Sequence, residues 1–190
     1  MNRWSPPLRG RLKINIDASV FPGNHFAGIS LIIRDFTGQL VEACKLVERV
    51  RDVTQAEVVA ALKALQWIIQ LQIQNVIVEG DNKKVMDSIN GMCNISPWED
   101  GNLIKECQHL VSYLGNAVVC FRNRKYNQVA DLLARKMCSQ NRTDLLKSLV
   151  TSDEASVVKE IIDEDFIAGD NKDEDFTVGD HHYRFYNPTQ

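Results

Sequence analysis

Four acidic residues stand at positions of the secondary-structure pattern where folding does not need a carboxylate. They are Asp17, Glu57, Asp81 and Asp131. Asp17 ends an alternating strand-like run, Asp81 follows the apolar run 76–78, and the other two lie on helical patterns. Carboxylates that lie close together without basic partners repel one another, so a fold that gathers four of them needs cations to neutralise them. Hard oxygen ligands suit hard cations, and we therefore expect Mg²⁺ or Mn²⁺ at this cluster.

Three of the four positions also have an explanation that involves folding alone. Residues 54–57, Thr-Gln-Ala-Glu, match a capping box, in which the Glu57 side chain would bond back to the N-cap amide. Asp81 could cap the helix that follows it, and Asp131 could be an ordinary residue on a helix surface. Asp17 is the hardest to explain in this way, because strands disfavour Asp and a buried unpaired charge is costly. The metal-binding hypothesis therefore depends on all four positions together.

The composition indicates one globular domain. With 190 residues and 44% hydrophobic content, the chain can build a single core with a tail left over. The N-terminus lacks the apolar segment of a signal peptide, and no later run reaches the ~18 apolar residues of a membrane span. We therefore expect a soluble, intracellular monomer of the nucleus or cytoplasm with no membrane partner. The five cysteines lack C-x-x-C spacing, which indicates neither a disulfide framework nor a zinc site.

The net charge of -3 hides a difference between the two ends of the chain. Residues 151–190 hold eleven acidic and three basic residues, which leaves 19 basic against 14 acidic, a balance of +5, in residues 1–150. A mildly basic body suits a polyanionic partner. The acidic tail has few apolar residues, and such a composition favours a flexible segment.

The elements that must position the carboxylates form an α/β pattern. Residues 12–18, 27–35 and 39–49 predict three strands in an antiparallel meander. Apolar spacing then predicts helix, strand, two helices, strand and helix over residues 54–72, 75–81, 82–90, 102–114, 117–123 and 127–138. This order indicates a mixed five-stranded sheet, a meander plus parallel strands, flanked by helices. We expect three regions, namely an extended N-terminal segment, the folded domain and a C-terminal extension, over residues 1–11, 12–140 and 141–190.

The order of these motifs resembles the type 1 ribonuclease H domain and, more closely, plant ribonuclease H-like proteins related to retroelement reverse transcriptases. The likeness covers residues 4–140. It is carried by short motifs at residues 4–7, 10, 12–18, 28, 34–35, 38, 56–57, 60, 62, 76–81 and 127–134. The resemblance implies a ribonuclease H-like fold and places the family's four acidic residues at Asp17, Glu57, Asp81 and Asp131.

The activity that the resemblance implies is cleavage of the RNA strand of RNA–DNA hybrids by an endonuclease with two Mg²⁺ or Mn²⁺ ions. Asp17 would bridge both ions, and Asp131 would hold the ion on the leaving-group side. Glu57 and Asp81 would complete the side of the attacking water, and Glu57 would also contact a ribose 2′-hydroxyl, the group that distinguishes RNA from DNA. The loop that contains a histidine in bacterial-type members has none here, and we expect Arg124 to supply a catalytic cation instead.

Residues beside the acidic motifs are candidate contacts to nucleic acid: Lys83, Lys84, Arg122, Arg124, Lys125 and Asn127. The basic run 122–125 at a strand end favours contact with phosphates, whereas an exposed helix face explains the lysine pair equally well. Two other functions remain open. One is a domesticated retroelement domain that binds nucleic acid or protein with little catalysis, and the other is a structure-selective or 3′-exonucleolytic relative. The four intact carboxylates favour catalysis, and the antiparallel meander favours the hybrid nuclease over the exonuclease.

Overall fold

The computed structural model describes residues 4–23, 25–93, 98–139 and 147–149, together with Ser156, Lys159 and Ile162. Three antiparallel strands open the fold: β1 (Leu12–Val20), β2 (Phe26–Arg34) and β3 (Leu40–Arg49). The following elements are α1 (Val53–Gln70), β4 (Val76–Gly80), α2 (Lys83–Ile89), α3 (Trp98–Leu114), β5 (Val118–Phe121), α4 (Gln128–Ser139) and β6 (Lys147–Leu149). A short 3₁₀ helix, Arg124–Tyr126, joins β5 to α4.

The strands form one mixed sheet in the order β5-β4-β1-β2-β3-β6. β4 lies parallel to β1 and β5 lies parallel to β4, because helices cross over between them, whereas the directly linked β1, β2 and β3 are antiparallel. The predicted α/β fold, a five-stranded mixed sheet flanked by helices, is confirmed. The structure adds a sixth strand, because β6 pairs antiparallel with β3 at the edge of the meander. With three residues, β6 is too short to give a recognisable sequence pattern.

Both faces of the sheet are covered, because successive residues of a strand point to opposite faces. On one face, Ile14 and Ile16 of β1 pack in the main core with the buried side of α1. On the other face, Ile32 of β2 packs with Val129 and Leu133 of α4. The central strands are therefore enclosed between α1 and α4, and a charge placed on β1 is removed from water on either face.

The helices follow the predicted ones closely, with one exception at α3, which begins four residues before the predicted start at residue 102. Trp67 of α1 is 4% exposed and belongs to the main core. None of the helices in the described ranges combines the length and the apolar composition that a membrane crossing needs.

The C-terminal extension is described only in part. Ile162 is 3% exposed and packs with Ala43 and Leu133, so the chain returns to the body of the protein at this residue. The rest of the acidic tail lies outside the described residues, apart from Ser156 and Lys159, and its flexibility stays a prediction. The three-region division of the chain likewise stays a prediction.

Candidate metal centre

Asp17 lies on β1 at the centre of the sheet, opposite Ser30 of β2. Asp17 is 2% exposed, and its Oδ2 atom has no hydrogen-bond partner among the described residues. A buried carboxylate oxygen without a donor is unfavourable unless a cation or a proton neutralises it. Folding alone therefore gives no reason for an acid at this position.

Glu57 lies one turn inside α1 and takes no part in capping the helix. The N-cap is Asp52, whose side chain accepts from the backbone N–H of Gln55 at 2.9 Å. The capping box suggested for residues 54–57 is therefore not formed. Glu57 is 5% exposed, and within the described part of the chain its Oε2 atom has no hydrogen-bond partner.

Asp81 follows directly after β4 and is also free of a capping role. The N-cap of α2 is Asn82, whose side chain accepts from the backbone N–H of Val85 at 3.2 Å. Asp81 stands at the carboxyl end of β4, which runs parallel to β1 and is its neighbour in the sheet. One carboxylate oxygen from each of Asp17, Glu57 and Asp81 lies within 4.8 Å of the other two.

Burial and mutual repulsion act on this trio in the same direction. Desolvation, reinforced by the nearby charges of Asp81 and Asp131, raises the pKa of Asp17 to about 8. Desolvation and the charge of Asp17 raise the pKa of Glu57 well above its ordinary value, and desolvation also raises the pKa of Asp81. Arg124 opposes all three shifts. The trio is thus a place where bound positive charge would be strongly stabilising.

The chemistry of the trio fits a hard divalent cation. It offers carboxylate oxygens with no nitrogen or sulfur ligand, which suits Mg²⁺ or Mn²⁺ better than zinc. Two of its buried oxygens, on Asp17 and Glu57, lack donors among the described residues and so are available as ligands. The residues present therefore fit the expected ion.

Asp131 lies in the first turn of α4 and is not part of the trio within the described residues. Its Oδ1 atom accepts from Arg124 Nη2 at 2.6 Å and from Arg135 Nε at 3.0 Å. Its Oδ2 atom pairs with Arg135 Nη2 at 2.9 Å. Arg124 also approaches Asp81, with 3.8 Å between its Nε atom and Oδ2 of that residue. The fourth acidic residue is therefore near the trio but is bound to two arginines.

The other candidate nucleic-acid contacts differ in exposure. Lys83, Lys84 and Lys125 are exposed, with Lys83 paired to Asp87 on its own helix. Arg122 is partly exposed, and its Nε atom donates to Glu79 at 2.8 Å. Asn127 is the exception, because it is 1% exposed and donates to the backbone carbonyl of Ile16 at 2.7 Å. In this structure Asn127 ties the start of α4 to β1 and offers no surface to a ligand.

A buried polar network that sequence reasoning missed lies beside the trio on β1 and β4. Glu79, which is 0% exposed, accepts from Lys13 Nζ at 2.9 Å and from Asn15 Nδ2 at 3.2 Å. Arg34 donates to Asn15 at 2.9 Å, and its guanidinium lies 3.4 Å from the ring centroid of Trp4. Burial lowers the pKa of Lys13, while the charge of Glu79 opposes this shift.

The network lies two residues before two carboxylates of the trio, since Asn15 precedes Asp17 on β1 and Glu79 precedes Asp81 on β4. The signal that could have revealed it is the alternation of Lys13 and Asn15 with isoleucines on a strand whose neighbours are also buried. The hydrogen bonds and the ion pair of the network join β1 to β4 directly beside these two carboxylates.

The comparison with protein families matches a family model described as reverse transcriptase-like to residues 15–137. That range includes the trio and Asp131. No curated protein sequence matches the chain.

Solved structures share this fold at low sequence identity. RNase H1 from the halophilic archaeon Halobacterium salinarum NRC-1 has a TM-score of 0.64 and 18% identity, over 69% of this chain and 99% of that chain. LC11-RNase H1, isolated from compost by a metagenomic approach, has in its complex with an RNA/DNA hybrid a TM-score of 0.62 and 18% identity, over 68% and 97% of the two chains. The foamy viral protease-reverse transcriptase in complex with an RNA/DNA hybrid has a TM-score of 0.55 and 16% identity, over 68% of this chain and 20% of that chain.

Proposed function

The chain belongs to the reverse transcriptase-like family and has the ribonuclease H fold, and from this premise we propose that it is a metal-dependent endonuclease that hydrolyses the RNA strand of RNA–DNA hybrids. The observation that supports this proposal most is the meeting of Asp17, Glu57 and Asp81, which leaves buried carboxylate oxygens without donors among the described residues. The folding explanations for Glu57 and Asp81 do not apply, because other residues cap both helices.

Two divalent ions, Mg²⁺ or Mn²⁺, would be held by the four acidic residues. Asp17, Glu57 and Asp81 would hold the first ion, and Asp17 and Asp131 would hold the second. When bound, the ions would supply Lewis acidity that activates an attacking water and stabilises the leaving 3′ oxygen. The carboxylates would hold the ions in fixed positions relative to the scissile phosphate, because β1, β4 and α1 are rigid elements of a packed core.

The basic residues around the carboxylates would bind and orient the hybrid. Arg124 would contact the scissile phosphate from the 3₁₀ helix, and Lys83, Lys84 and Lys125 are exposed and able to contact other phosphates. Arg122 would contact the sugar-phosphate backbone of the hybrid with its guanidinium held in one orientation, since its Nε atom donates to the buried Glu79. Asn127 would act indirectly by tying α4 to β1.

The proposal is tested by incubating the full chain with a labelled RNA–DNA hybrid, single-stranded RNA, duplex RNA and duplex DNA, with Mg²⁺, with Mn²⁺ and with a chelator. We expect cleavage of the hybrid only, and only with metal. Asp17→Asn should lower the rate by about 100-fold or more, because it removes a ligand worth several kcal/mol in the transition state. Asp35→Asn, in the exposed β2–β3 turn, is the matched control and should cleave normally. Cleavage in the chelator, or equal cleavage by Asp17→Asn, would contradict the proposal.

A second candidate function is a nucleic-acid-binding module with little catalysis. The engagement of both Asp131 oxygens by Arg124 and Arg135 favours it, because those oxygens are bound by the protein's own cations. The same hybrid separates the two functions, since a module would bind it in Mg²⁺ without cutting it. The plant and retroelement affiliation suggested by the sequence motifs stays a prediction.

A further inference from the structure

The two halves of the acidic cluster are in different states. The trio of Asp17, Glu57 and Asp81 contains oxygens that lack donors among the described residues, whereas Asp131 has both oxygens bound by guanidinium groups. Arg124 lies between the halves, 2.6 Å from Asp131 Oδ1 and 3.8 Å from Asp81 Oδ2. A guanidinium in that place neutralises Asp131, one of the two carboxylates that would hold the second metal ion, and it also approaches Asp81, which would hold the first.

The backbone that carries Arg124 is fixed. The side chain of Asn123 accepts from the backbone N–H of Lys125 at 3.2 Å, and the N–H of Tyr126 donates to the carbonyl of Asn123 at 2.8 Å. At the end of this 3₁₀ helix, Asn127 is tied to Ile16 of β1. The Cα atom of Arg124 is therefore held in a fixed position beside the carboxylates.

The side chain of Arg124, in contrast, is able to leave. It is 63% exposed, and ion pairs of such exposed groups contribute little to stability. A change of rotamer into solvent would end the contacts of Arg124 with Asp131 Oδ1 and Asp81 Oδ2 without disturbing the core, and Asp131 would keep its pairing with Arg135. Arg135 is 58% exposed and pairs with Asp131 along their shared helix, at i and i+4, but no contact joins it to Asp81 in the described structure.

We propose that Arg124 is an internal counter-cation that occupies the place of the second metal ion in the resting site and must leave Asp131 before that ion binds. This inference rests on the proposed function, since it deepens the account of the same site. The ions then bind in two stages, the first at the trio and the second only after displacement of Arg124. The released guanidinium is placed to meet a phosphate of the hybrid, so substrate and second ion favour each other's binding.

The test is Mn²⁺ binding to the full chain without nucleic acid, measured by calorimetry and by the loss of the free-ion electron paramagnetic resonance signal. We compare the wild type with Arg124→Ala, Arg124→Gln and Lys125→Ala. Lys125 is the matched control, because it is a neighbouring exposed cation of equal charge whose described contact is the Tyr126 ring, at 4.9 Å. Its removal changes the local charge by the same amount without releasing a carboxylate.

Both Arg124 variants should tighten the weaker binding event, or create one where the wild type shows a single event, by about tenfold, as expected for removing a unit charge at ~5 Å from a divalent ion in water. The tighter event should change less, and Lys125→Ala should leave both events within about twofold, because a more distant and screened charge acts weakly. The inference would be overturned if the Arg124 variants bound the second Mn²⁺ ion no more tightly than the wild type, or if none of the four proteins bound a second ion. It would also be overturned if Lys125→Ala tightened the weaker binding event as much as the Arg124 variants do. Hybrid cleavage by the wild type, measured separately, reports on the proposed function, so the two can fail independently.

Discussion

Replacing Asp17 by Asn should stabilise the metal-free protein while abolishing its activity. The substitution keeps the size and shape of the side chain and removes the charge that burial and the neighbouring carboxylates disfavour. Between the ordinary pKa of 3.8 and the raised pKa of about 8, the folded protein holds a proton on Asp17 that the unfolded chain releases. The free energy of unfolding of the wild type therefore falls as pH rises through this window, and the uncharged amide of the Asp17→Asn variant removes that part of the fall.

The size of the effect follows from the width of the window. At pH 7, about three pH units above the ordinary pKa, the Asp17 carboxyl is still protonated in the folded protein but ionised in the unfolded chain. At ~1.4 kcal/mol per unit, this difference lowers the free energy of unfolding by about 4 kcal/mol. Relaxation of the site lowers this figure, so we expect a gain of about 2 to 4 kcal/mol, or about 6 to 12 °C in Tm for a domain of this size. At pH 5 only about one unit of the window has been crossed, and the gain should shrink to about 1 kcal/mol.

The assay is thermal unfolding in a chelator at pH 5 and pH 8 for the wild type, Asp17→Asn and Asp35→Asn. Asp35 is the control because its slight desolvation is outweighed by hydrogen bonds from Thr37 and Gln39, which lower its pKa. A lowered carboxyl pKa contributes stability at both pH values, so Asp35→Asn should lose stability equally at pH 5 and pH 8. If Asp17→Asn lowered Tm, or shifted it equally at both pH values, the electrostatic account of the cluster would be refuted.

Three further predictions follow from the same geometry. Arg124→Ala should lower kcat more than it raises KM, whereas Lys84→Ala should raise KM and reduce the salt dependence of binding; an unchanged kcat at saturating hybrid would exclude a catalytic part for Arg124. Glu79→Ala leaves Lys13 buried without its carboxylate and should lower the free energy of unfolding in urea by about 3 to 5 kcal/mol. Glu48→Ala, at a partly exposed ion pair with Lys63, should lower it by less than about 1 kcal/mol. Apparent Mn²⁺ affinity should rise with pH up to about 8, because the ion displaces a proton from Asp17, and calorimetry that finds no rise would count against this linkage.

The fold and the trio could be predicted because the relevant signals are local. The alternation around Asp17 predicts a strand that contains an acid, and the apolar run before Asp81 predicts a strand that an acid follows. Parallel pairing of β1 with β4, with Asn15 opposite Glu79, then places Asp17 near Asp81. The state of Asp131 was beyond prediction, since its two arginine partners come from its own helix and from the preceding loop, and geometry alone decides which of them it meets.

The N-cap residues of α1 and α2 were harder to predict than the helices themselves, because several residues of similar capping strength compete. Asp52 and Thr54 are both good N-caps, as are Asp81 and Asn82, and their preferences differ by little. At α1 the choice is settled by tertiary contacts, because the Arg51 guanidinium and the Gln55 amide both reach the buried Asp100 of α3. No window of sequence around residue 54 contains that information.

The buried polar network was missed for a related reason. Lys13 and Asn15 alternate with isoleucines, a pattern typical of a strand with one face in water. Trp4 lies far from β4 in sequence, and only the folded chain shows that it covers the charges of Lys13 and Arg34, at 5.0 Å and 3.4 Å from its ring centroid.

The position of β6 determines how far the protein can be shortened. The family match ends at residue 137, and the likeness seen in the sequence ends near residue 140, yet β6, which lies beyond that limit, pairs with Cys44, Lys45 and Leu46 of β3. A fragment that stopped there would present unpaired backbone N–H and C=O groups along β3. It would also expose the apolar side chains against which Ile162 packs. Such an edge is a template for a second molecule, so the fragment would tend to self-associate, and the smallest unit suited to solution work extends past residue 162.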